Sequence, residues 1–468
     1  MQGSDIVIAT TRVDELSKTF QGKIIQPGDP DYDDARSLWN GMIDKKPALI
    51  AQCASDEDVA AAIKFAREND IPLSVKGGGH GVAGKAIVDD GIVIDLSAMN
   101  AVHVDPVAKR ARVQGGAKLG DVDRETQAHG LVTTAGIVST TGVAGLTLGG
   151  GLGYLARKFG LAADNLISAH VVTADGKRIH ASEDEHSDLL WALRGGGANF
   201  GVVTQFEFQL HELGPEVMTA QAFHPFKDAK DLLRYYRDFL ADAPDELGLY
   251  FLVLNVPPMD PFPEEWHGEP AVLLLGCYAG PVEEGREVLA PLETHGNPIL
   301  SVVAPMPYTA LQSNFDAGFP EGPRYYWKSH IVRELTDEAI DTFIEKSLPL
   351  DGGYSATGIE SMGGAISRVD PRATAFPHRD GRFACSAFAG WTDPADDEKL
   401  IAWARDFYDA MKPHGTGGVY VNYQAPEEDV GPAYRSNYER LQQVKARYDP
   451  DNLFRSNQNI TPVSTGAD

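Results

Sequence analysis

Apolar and polar positions follow two different spacings in the first half of the chain. Residues 55–69 begin with Ser55 and Asp58, a pair typical of a helix start. Apolar residues then recur at the spacing of a helix with one buried face, at Val59, Ala62, Ile63 and Ala66. Short β-branched apolar runs predict buried strands at residues 71–75, 91–96 and 169–175. The pattern therefore predicts a domain in which helices and strands are mixed.

The pattern changes near residue 213, where a Gly-Pro pair interrupts the chain. After it, the apolar runs 248–256 and 271–279 predict strands separated by a proline-rich loop. From residue 420 the pattern returns to that of the first half, with a helix predicted over 434–447. We therefore predict a domain boundary near residue 213 and a C-terminal segment that resembles the first domain.

Glycine is concentrated in three clusters of the first half. The first glycine cluster is residues 77–81 (GGGHG), the second is residues 142–153 (GVAGLTLGGGLG), and the third is residues 195–197. Such runs are typical of places where the backbone takes a positive φ or lies against a ligand. The apolar residues of the second cluster exclude a flexible linker, which would contain serine and charge, and predict a buried loop instead. Because backbone amides can bind anionic oxygens, the clusters predict an extended cofactor with a diphosphate group.

His80 lies inside the first cluster, with glycine on both sides. This makes its imidazole accessible, as a nucleophilic or ligating histidine must be, although an ordinary hydrogen-bonding histidine fits the position equally well. Residues 79–86 also match the dinucleotide and P-loop phosphate motifs. Both motifs need a helix directly afterwards, whereas a turn and a strand are predicted, and Ala86 replaces the magnesium-binding hydroxyl. A P-loop phosphotransferase is therefore a remote alternative.

Composition narrows the possible partners and compartment. The 468 residues carry 67 acidic and 41 basic side chains, a net charge of −26 that disfavours nucleic acid and anionic membranes as partners. Ordinary solubility and a high-salt habitat both explain this charge. The three cysteines are far apart and show no metal-ligand spacing, so we expect no metal and a reducing compartment. With no signal peptide or membrane-crossing apolar run in the sequence, the expected location is cytoplasmic.

Five segments together resemble one enzyme family. They are KGGGH (76–80), AGIVSTTGVAGLTLGGGLGYLARKFGLAADNL (135–166), LLWALRGGGANFGVVTQFEF (189–208), YVNY (420–423) and YDPDNLFRSNQNI (448–460). In this order they resemble the berberine bridge enzyme-like flavin oxidases of the vanillyl-alcohol oxidase superfamily. The resemblance implies an α+β fold with two domains. Residues 1–212 and 420–468 would form the FAD-binding domain, and residues 213–419 would form a substrate domain with an antiparallel sheet.

The resemblance also implies how FAD is held. His80 occupies the place of the histidine that relatives bond to the 8α-methyl group of the flavin, and Lys76 replaces the usual arginine of that motif. Many relatives attach the flavin a second time through a cysteine, but this chain has Val138 at that position, so a single covalent link is expected. The remaining expected cofactor-binding residues are Gly77, Gly78, Gly79, Gly81, Thr140, Thr141, Gly142, Gly145, Gly149, Gly150, Gly153, Gly201, Val203, Asn457 and Asn459.

Catalysis in the family is hydride transfer from a substrate C–H bond to the flavin, while a base removes a proton from oxygen or nitrogen. Tyr423 matches a catalytic or substrate-contacting position, and Glu360 matches an acidic position of the substrate pocket. A phenol with a pKa near ~10 needs a cation or a hydrogen bond to act as a base. Tyr420, His378 and Lys328 are further candidates, for which purely structural roles remain open.

The leading functional prediction is an enzyme that oxidises an amine, an alcohol or a secondary metabolite. Oxygen or another acceptor would then reoxidise the flavin. The main alternative substrate is a carbohydrate, which the lack of a signal peptide and of cysteine at position 138 disfavours. A dehydrogenase of the same fold and a flavin-binding protein without activity also remain open, as do the substrate itself and the oligomeric state.

Overall fold

The protein is described by a computed structural model that covers residues 10–463. The two ends of the expected FAD-binding domain, residues 1–9 and 464–468, therefore lie outside the described residues. The described strands are β1 (Lys23–Ile25), β2 (Leu49–Gln52), β3 (Leu73–Lys76), β4 (Ile92–Asp95), β5 (Val102–Asp105), β6 (Arg110–Gln114), β7 (Leu131–Val132), β8 (Leu166–Val172), β9 (Arg178–Ala181), β10 (Val202–Gln209), β11 (His211–Glu212), β12 (Glu216–Pro225), β13 (Leu247–Asn255), β14 (Pro270–Tyr278), β15 (Leu300–Pro307), β16 (Arg324–Val332), β17 (Ala356–Ser361) and β18 (Phe383–Trp391).

Helices are found in both halves of the chain. The α-helices are α1 (Thr10–Thr19), α2 (Tyr32–Arg36), α3 (Asp56–Asn69), α4 (Leu119–Gln127), α5 (Val143–Leu148), α6 (Ala156–Phe159), α7 (Ser187–Leu193), α8 (Ala229–Ala241), α9 (Val282–Thr294), α10 (Tyr308–Gln312), α11 (Asp337–Lys346), α12 (Ala365–Arg368), α13 (Asp397–Met411), α14 (Gly431–Tyr434) and α15 (Tyr438–Tyr448). Short 3-10 helices are Ala162–Asn165, Phe226–Asp228, Glu264–Trp266, Pro394–Asp396, Lys412–His414, Val421–Tyr423 and Arg435–Asn437. Between residues 10 and 463, no helix is both long and apolar enough to cross a membrane.

Two sheets form most of the first half. The four-stranded sheet has the order β1-β2-β4-β3, in which β2, β4 and β3 are parallel, and helix α3 packs on its apolar core. The five-stranded antiparallel sheet has the order β5-β6-β10-β8-β9 and shares its core with α4, α7 and α15. A third, two-stranded sheet pairs β11 with β7. Helix α15 therefore brings the C-terminal segment back to the first half of the chain.

A seven-stranded antiparallel sheet contains every described strand from β12 to β18, in the order β15-β12-β14-β13-β17-β18-β16. Most of its strands are apolar on both faces because both faces are buried, whereas the edge strand β15 is partly exposed. On β13, Leu249, Phe251 and Val253 pack with helices α8, α9, α11 and α13, whereas Tyr250 and Leu252 point to the opposite side. This explains why the run 248–256 shows no alternation of polar and apolar residues. The mixture of helices with parallel and antiparallel strands confirms the α+β class.

The local predictions hold with three corrections, the first being that the strand predicted at 169–175 spans Leu166–Val172 (β8). Helix α3 begins as predicted, with the Ser55 side chain accepting a hydrogen bond from the Asp58 backbone N–H. The second glycine cluster, predicted as a loop, contains helix α5, because its apolar residues Val143 and Leu148 are buried together in the core. The helix predicted over 434–447 begins only at Tyr438, since the preceding residues form the end of α14 and a 3-10 turn.

Candidate active site

One long cavity runs between the glycine clusters and the seven-stranded sheet. From the first half it is lined by all three clusters, at residues such as Gly78, Gly145 and Gly197. From the sheet it is lined by side chains of four neighbouring strands, namely Tyr250 and Leu252 of β13, Glu360 of β17, Phe388 of β18 and Trp327 of β16. The segments 420–423 and 456–458 complete the lining. The cavity therefore lies between the glycine clusters, which were expected to hold the cofactor, and the sheet of the expected substrate domain.

Bare backbone makes the first part of this lining. A Cβ atom on Gly78 would lie 2.4 Å from the Cα atom of Gly142, so the first and second clusters touch each other and exclude any side chain between them. At Gly81 and Gly145 a Cβ atom would meet no protein atom within 4 Å, so these residues face open space. Backbone amides exposed in this way can bind an anionic diphosphate.

His80 lines this cavity and has one unpaired ring nitrogen. Its Nε2 atom is buried and has no hydrogen-bond partner among the described residues. Burial lowers the pKa of His80 to about 4, with a backbone hydrogen bond opposing the shift and Lys118 adding to it. The imidazole is therefore neutral at physiological pH, and a nitrogen lone pair is free. A buried polar atom without a partner is what a ligand or a covalent group would satisfy.

Glu360 of strand β17 places a carboxyl group on the sheet side of the cavity. Burial raises the pKa of its carboxyl group to about 7, and the nearby hydroxyl of Tyr423 partly opposes this shift. One oxygen of the carboxyl, Oε1, has no hydrogen-bond partner in the described part of the chain. A carboxyl with a pKa near neutrality can both accept and return a proton at physiological pH.

The two tyrosines of the segment 420–423 have different surroundings. The hydroxyl oxygen of Tyr420 accepts hydrogen bonds from the backbone N–H groups of Gly151 and Leu152, at 3.1 and 3.2 Å, and from the Asn422 side chain at 2.9 Å. Burial nevertheless raises the pKa of Tyr420 to about 12. Burial, and next the charge of Glu360, also raise the pKa of Tyr423. Tyr423 is thus the phenol beside the carboxyl, whereas Tyr420 is held by the second glycine cluster.

Most of the expected site residues line this cavity. Those that line it are His80, Gly77, Gly78, Gly79, Gly81, Val138, Thr141, Gly142, Gly145, Gly149, Gly201, Val203, Asn457, Glu360, Tyr420 and Tyr423. Five do not: Lys76, Thr140, Gly150, Gly153 and Asn459.

Four of the five that lie elsewhere have identifiable neighbours, whereas the side-chain oxygen of Asn459 is buried and has no hydrogen-bond partner among the described residues. The amine of Lys76 donates to the Ala35 carbonyl at 2.7 Å, and Lys76 and Thr140 line a separate polar cavity behind the first glycine cluster. A Cβ atom on Gly153 would lie 1.7 Å from the Ala135 carbonyl oxygen, so this glycine serves chain packing. Gly150 has a φ of +120° and faces Phe376, and Asn459 is absent from the described lining.

The weaker candidates Lys328 and His378 lie away from the cavity lining. Lys328 forms a buried ion pair with Glu428 and lies 4.2 Å from the ring centre of Tyr408. His378 bonds the Ala433 carbonyl through Nε2 at 2.8 Å, and burial lowers its pKa to about 3. Both side chains therefore have structural partners, in agreement with the purely structural roles that the sequence left open for them.

Several lining residues were not singled out from the sequence. Asn422 donates to the Leu146 carbonyl at 3.1 Å and contacts Gly149, so it joins the segment 420–423 to helix α5. It lies inside the YVNY motif, which was the one available signal. Trp327 and Phe388 each lie 5.4 Å from the Tyr423 ring, and Phe315, Phe319, Tyr250 and Leu252 also line the cavity. An aromatic residue on a strand buried on both faces carries no sequence signal for which face meets a cavity.

Comparisons with known proteins agree with this geometry. The chain matches the FAD binding domain family over residues 47–182 and the berberine and berberine-like family over residues 419–461. It is 34% identical to (R)-6-hydroxynicotine oxidase of Paenarthrobacter nicotinovorans over 466 residues, covering 95% of this chain and 97% of that protein. The crystal structure of 6-hydroxy-D-nicotine oxidase from Arthrobacter nicotinovorans superposes with a TM-score of 0.85 at 30% identity, covering 97% and 99% of the two chains.

A sugar-oxidising relative is also similar. Glucooligosaccharide oxidase from Acremonium strictum, described with a 6-S-cysteinyl, 8α-N1-histidyl FAD, superposes with a TM-score of 0.84 at 25% identity and covers 97% and 100% of the chains. The motif pattern resembles that of 6-hydroxy-D-nicotine oxidase, and this likeness is confirmed. The unpaired His80 nitrogen and the bare glycine backbone fit FAD. The chain belongs to the berberine bridge enzyme-like family of FAD-linked oxidoreductases and is an FAD-dependent enzyme.

Proposed function

We propose that this enzyme oxidises a small amine, alcohol or secondary metabolite with FAD that is bonded once, through His80. One observation carries the proposal: a single cavity holds a neutral, unpaired imidazole beside bare glycine backbone and, on its sheet side, a carboxyl with a pKa near neutrality. Bound flavin supplies an acceptor for a hydride from a substrate C–H bond.

Glu360 and Tyr423 act as the proton acceptor in this proposal. Tyr423 alone is a poor base at physiological pH, because burial and the Glu360 charge raise its pKa. The Tyr423 oxygen takes a proton from the substrate O–H or N–H group while its own proton moves to the Glu360 carboxylate. Tyr420 keeps the segment in place through its bonds to the second glycine cluster. The cavity walls around Tyr423 are aromatic, so they exclude water from this transfer.

A single link is supported by the residues around the flavin site. Val138 lines the cavity at the position where many relatives carry cysteine, and its side chain cannot form a thioether. The described lining includes none of the chain's cysteines, Cys53, Cys277 and Cys385, which are all buried as free thiols. Three separated thiols also support a reducing, cytoplasmic location as part of the proposal.

The aromatic sheet side of the cavity favours a small planar substrate over a sugar. Trp327, Phe388 and Phe319 offer ring faces and edges, while Glu360 and the tyrosines are the few polar groups beside them. A sugar needs many hydrogen-bonding partners for its hydroxyl groups, and leaving them unpaired is costly. A carbohydrate nevertheless remains the second candidate, because a glucooligosaccharide oxidase shares the fold.

The proposed division into domains follows the sheets. Residues 1–212 with 420–468 would form the FAD-binding domain, and residues 213–419 would form the substrate domain. The proposal is supported by the seven-stranded sheet, whose strands fall between Glu216 and Trp391, and by the family matches at 47–182 and 419–461.

The link is tested by denaturing electrophoresis viewed under ultraviolet light. The purified wild-type protein should be yellow and give one fluorescent band, and His80→Ala should bind FAD but give no fluorescent band. His378→Ala is the matched control, because His378 is a buried histidine away from the cavity. Fluorescence that survives in the His80 variant would refute the assigned residue.

The activity is tested by offering amines, alcohols and oligosaccharides separately to the yellow protein without oxygen. A substrate bleaches the flavin absorbance, and Tyr423→Phe should slow bleaching at least about 100-fold because the proton acceptor is lost. Peroxide formation under air, compared with reduction of an added dye, then separates an oxidase from a dehydrogenase. Bleaching by oligosaccharides alone would replace our substrate class with the second candidate.

A further inference from the structure

Trp39 lies directly against the imidazole of His80. The two rings are stacked, with centroids 4.2 Å apart and planes inclined by 16°. Trp39 also stacks on Tyr325 of strand β16, at 3.8 Å and 8°. Because both stacks are nearly parallel, the indole lies between the two rings. A stack of three aromatic rings therefore reaches from the seven-stranded sheet to the histidine of the first glycine cluster.

Two hydrogen bonds to backbone carbonyls hold Trp39 within this stack. The backbone N–H of Trp39 donates to the Gly79 carbonyl at 3.2 Å, and its indole N–H donates to the Phe319 carbonyl at 2.9 Å. The indole is almost completely buried, with 4% of its surface exposed. These contacts leave the Trp39 ring little freedom to rotate.

The next residue, Asn40, joins the same two parts of the chain. Its side-chain amide donates to the Val82 carbonyl at 2.8 Å and to the Tyr325 carbonyl at 2.9 Å, and its oxygen accepts from the Tyr325 backbone N–H. Asn40 is 1% exposed, so these bonds are shielded from water. The segment 38–41 thus couples the histidine loop to strand β16.

We propose that Trp39 is a positioning residue that holds the His80 ring in the orientation required for covalent attachment of the flavin. The proposal rests on the proposed link through His80. The flanking residues Gly79 and Gly81 have no side chains that could pack against the imidazole, so a ring surface from another segment is needed to fix its plane. The attacking lone pair lies in that plane, and a stacked indole restrains the ring without occupying either nitrogen.

Attachment forms a bond between an imidazole nitrogen of His80 and the 8α-carbon of the flavin. One C–H bond of the 8α-methyl group is broken, and the imidazole loses its N–H proton. The two electrons released reduce the flavin, and dioxygen takes up both electrons and both protons to give hydrogen peroxide. The flavin ends oxidised and linked, so the orientation of the imidazole affects the rate of attachment and leaves the overall balance unchanged.

The test follows covalent incorporation into flavin-free protein produced in riboflavin-starved cells. FAD is added under air, and samples are denatured at intervals to measure the fluorescence that remains with the chain. Trp39→Leu should slow attachment by about ten- to 100-fold, because misaligned reacting groups lose rate to that extent. Non-covalent FAD affinity, measured by quenching of flavin fluorescence on mixing, should change less than about threefold, since Trp39 is not in the described lining of the flavin cavity.

Two further variants separate positioning from folding. Trp39→Phe keeps a ring face against His80 and should attach FAD within about threefold of the wild-type rate. Trp403→Leu removes a partly buried tryptophan outside the histidine loop whose indole N–H also donates to a backbone carbonyl, and this variant should attach FAD at the wild-type rate.

The outcomes distinguish the two proposals. A wild-type chain without fluorescence overturns the link through His80 itself. If the wild type is linked and Trp39→Leu attaches FAD at the same rate, the positioning role alone is overturned. If Trp39→Leu does not fold or does not bind FAD, a Trp39→Phe chain that attaches FAD equally slowly also overturns the positioning role.

Discussion

Glu360→Gln replaces a buried carboxyl group by an amide of nearly the same shape. In the folded protein, burial raises the pKa of Glu360 to about 7 from its ordinary value of 4.5. In the unfolded chain, water surrounds the carboxyl and the ordinary pKa returns. The folded state therefore favours the protonated form of Glu360, and glutamine imitates that neutral form at every pH.

The sign of the stability change is set by this raised pKa. The protonated carboxyl contributes its full stability below about pH 4.5, and the contribution is lost as the pH rises through about 7. The shift corresponds to about 3 kcal/mol, of which about 2.5 kcal/mol is lost between about pH 5 and pH 8. Glutamine has no such loss. We therefore expect the unfolding free energy of Glu360→Gln, relative to wild type, to rise by about 2.5 kcal/mol across this range.

The measurement is urea unfolding of the holoenzyme, followed by circular dichroism, for wild type and variant at about pH 5, 6.5 and 8. Comparing the two proteins at each pH cancels the titration of all other groups. Glu334→Gln is the matched control, because Glu334 is exposed and its replacement should leave the two stability curves parallel.

The raised pKa of Glu360 also has a kinetic consequence that tests the proposed role. If ionised Glu360 accepts the proton, the rate of flavin bleaching by a substrate should fall about tenfold per pH unit below about pH 7 in the wild type. A wild type and a Glu360→Gln variant whose unfolding free energies run parallel from about pH 5 to pH 8 would refute the raised pKa and the reasoning built on it.

Three further perturbations follow from contacts. Gly78→Ala places a Cβ atom 2.4 Å from a Cα atom of the second glycine cluster, so FAD binding, measured as the ratio of flavin to protein absorbance, should fall at least about tenfold. Gly318→Ala is the control, because its Cβ atom would be in ordinary van der Waals contact and FAD binding should not change. Lys328→Met leaves the Glu428 charge buried and unpaired and should lower the unfolding free energy, measured in urea, by about 3–5 kcal/mol. Adding Glu428→Gln should restore most of the lost free energy, and no restoration would exclude charge as the cause. Burial raises the pKa of Asp123 to about 7, so the stability contributed by its protonated carboxyl is complete below pH 3.8 and is lost as the pH rises through about 7. Asp123→Asn should therefore raise the melting temperature relative to wild type more at pH 8 than at pH 5. The same difference in melting temperature at both pH values would contradict this.

Local sequence determined the parts of the site that depend on backbone freedom. Glycine alone permits the close approach of Gly78 to Gly142, so the clusters and the histidine among them were visible before any fold was known. The same is true of helix α3, whose spacing and capping residues act within a few positions of each other. The order of the family motifs then identified the cofactor and the α+β fold.

Tertiary structure alone decided the sheet side of the cavity. Strand β13 is apolar on both faces, so nothing in its sequence distinguishes Tyr250, which faces the cavity, from Phe251, which packs under the helices. The stacked rings of Trp39 and Tyr325 come from residues far apart in the chain. Lys328 likewise pairs with Glu428, 100 positions away in the sequence, and does not line the site. The pKa of Glu360 depends on how completely the fold removes water from it. Such properties belong to the surroundings of a residue, and only the folded chain brings those surroundings together.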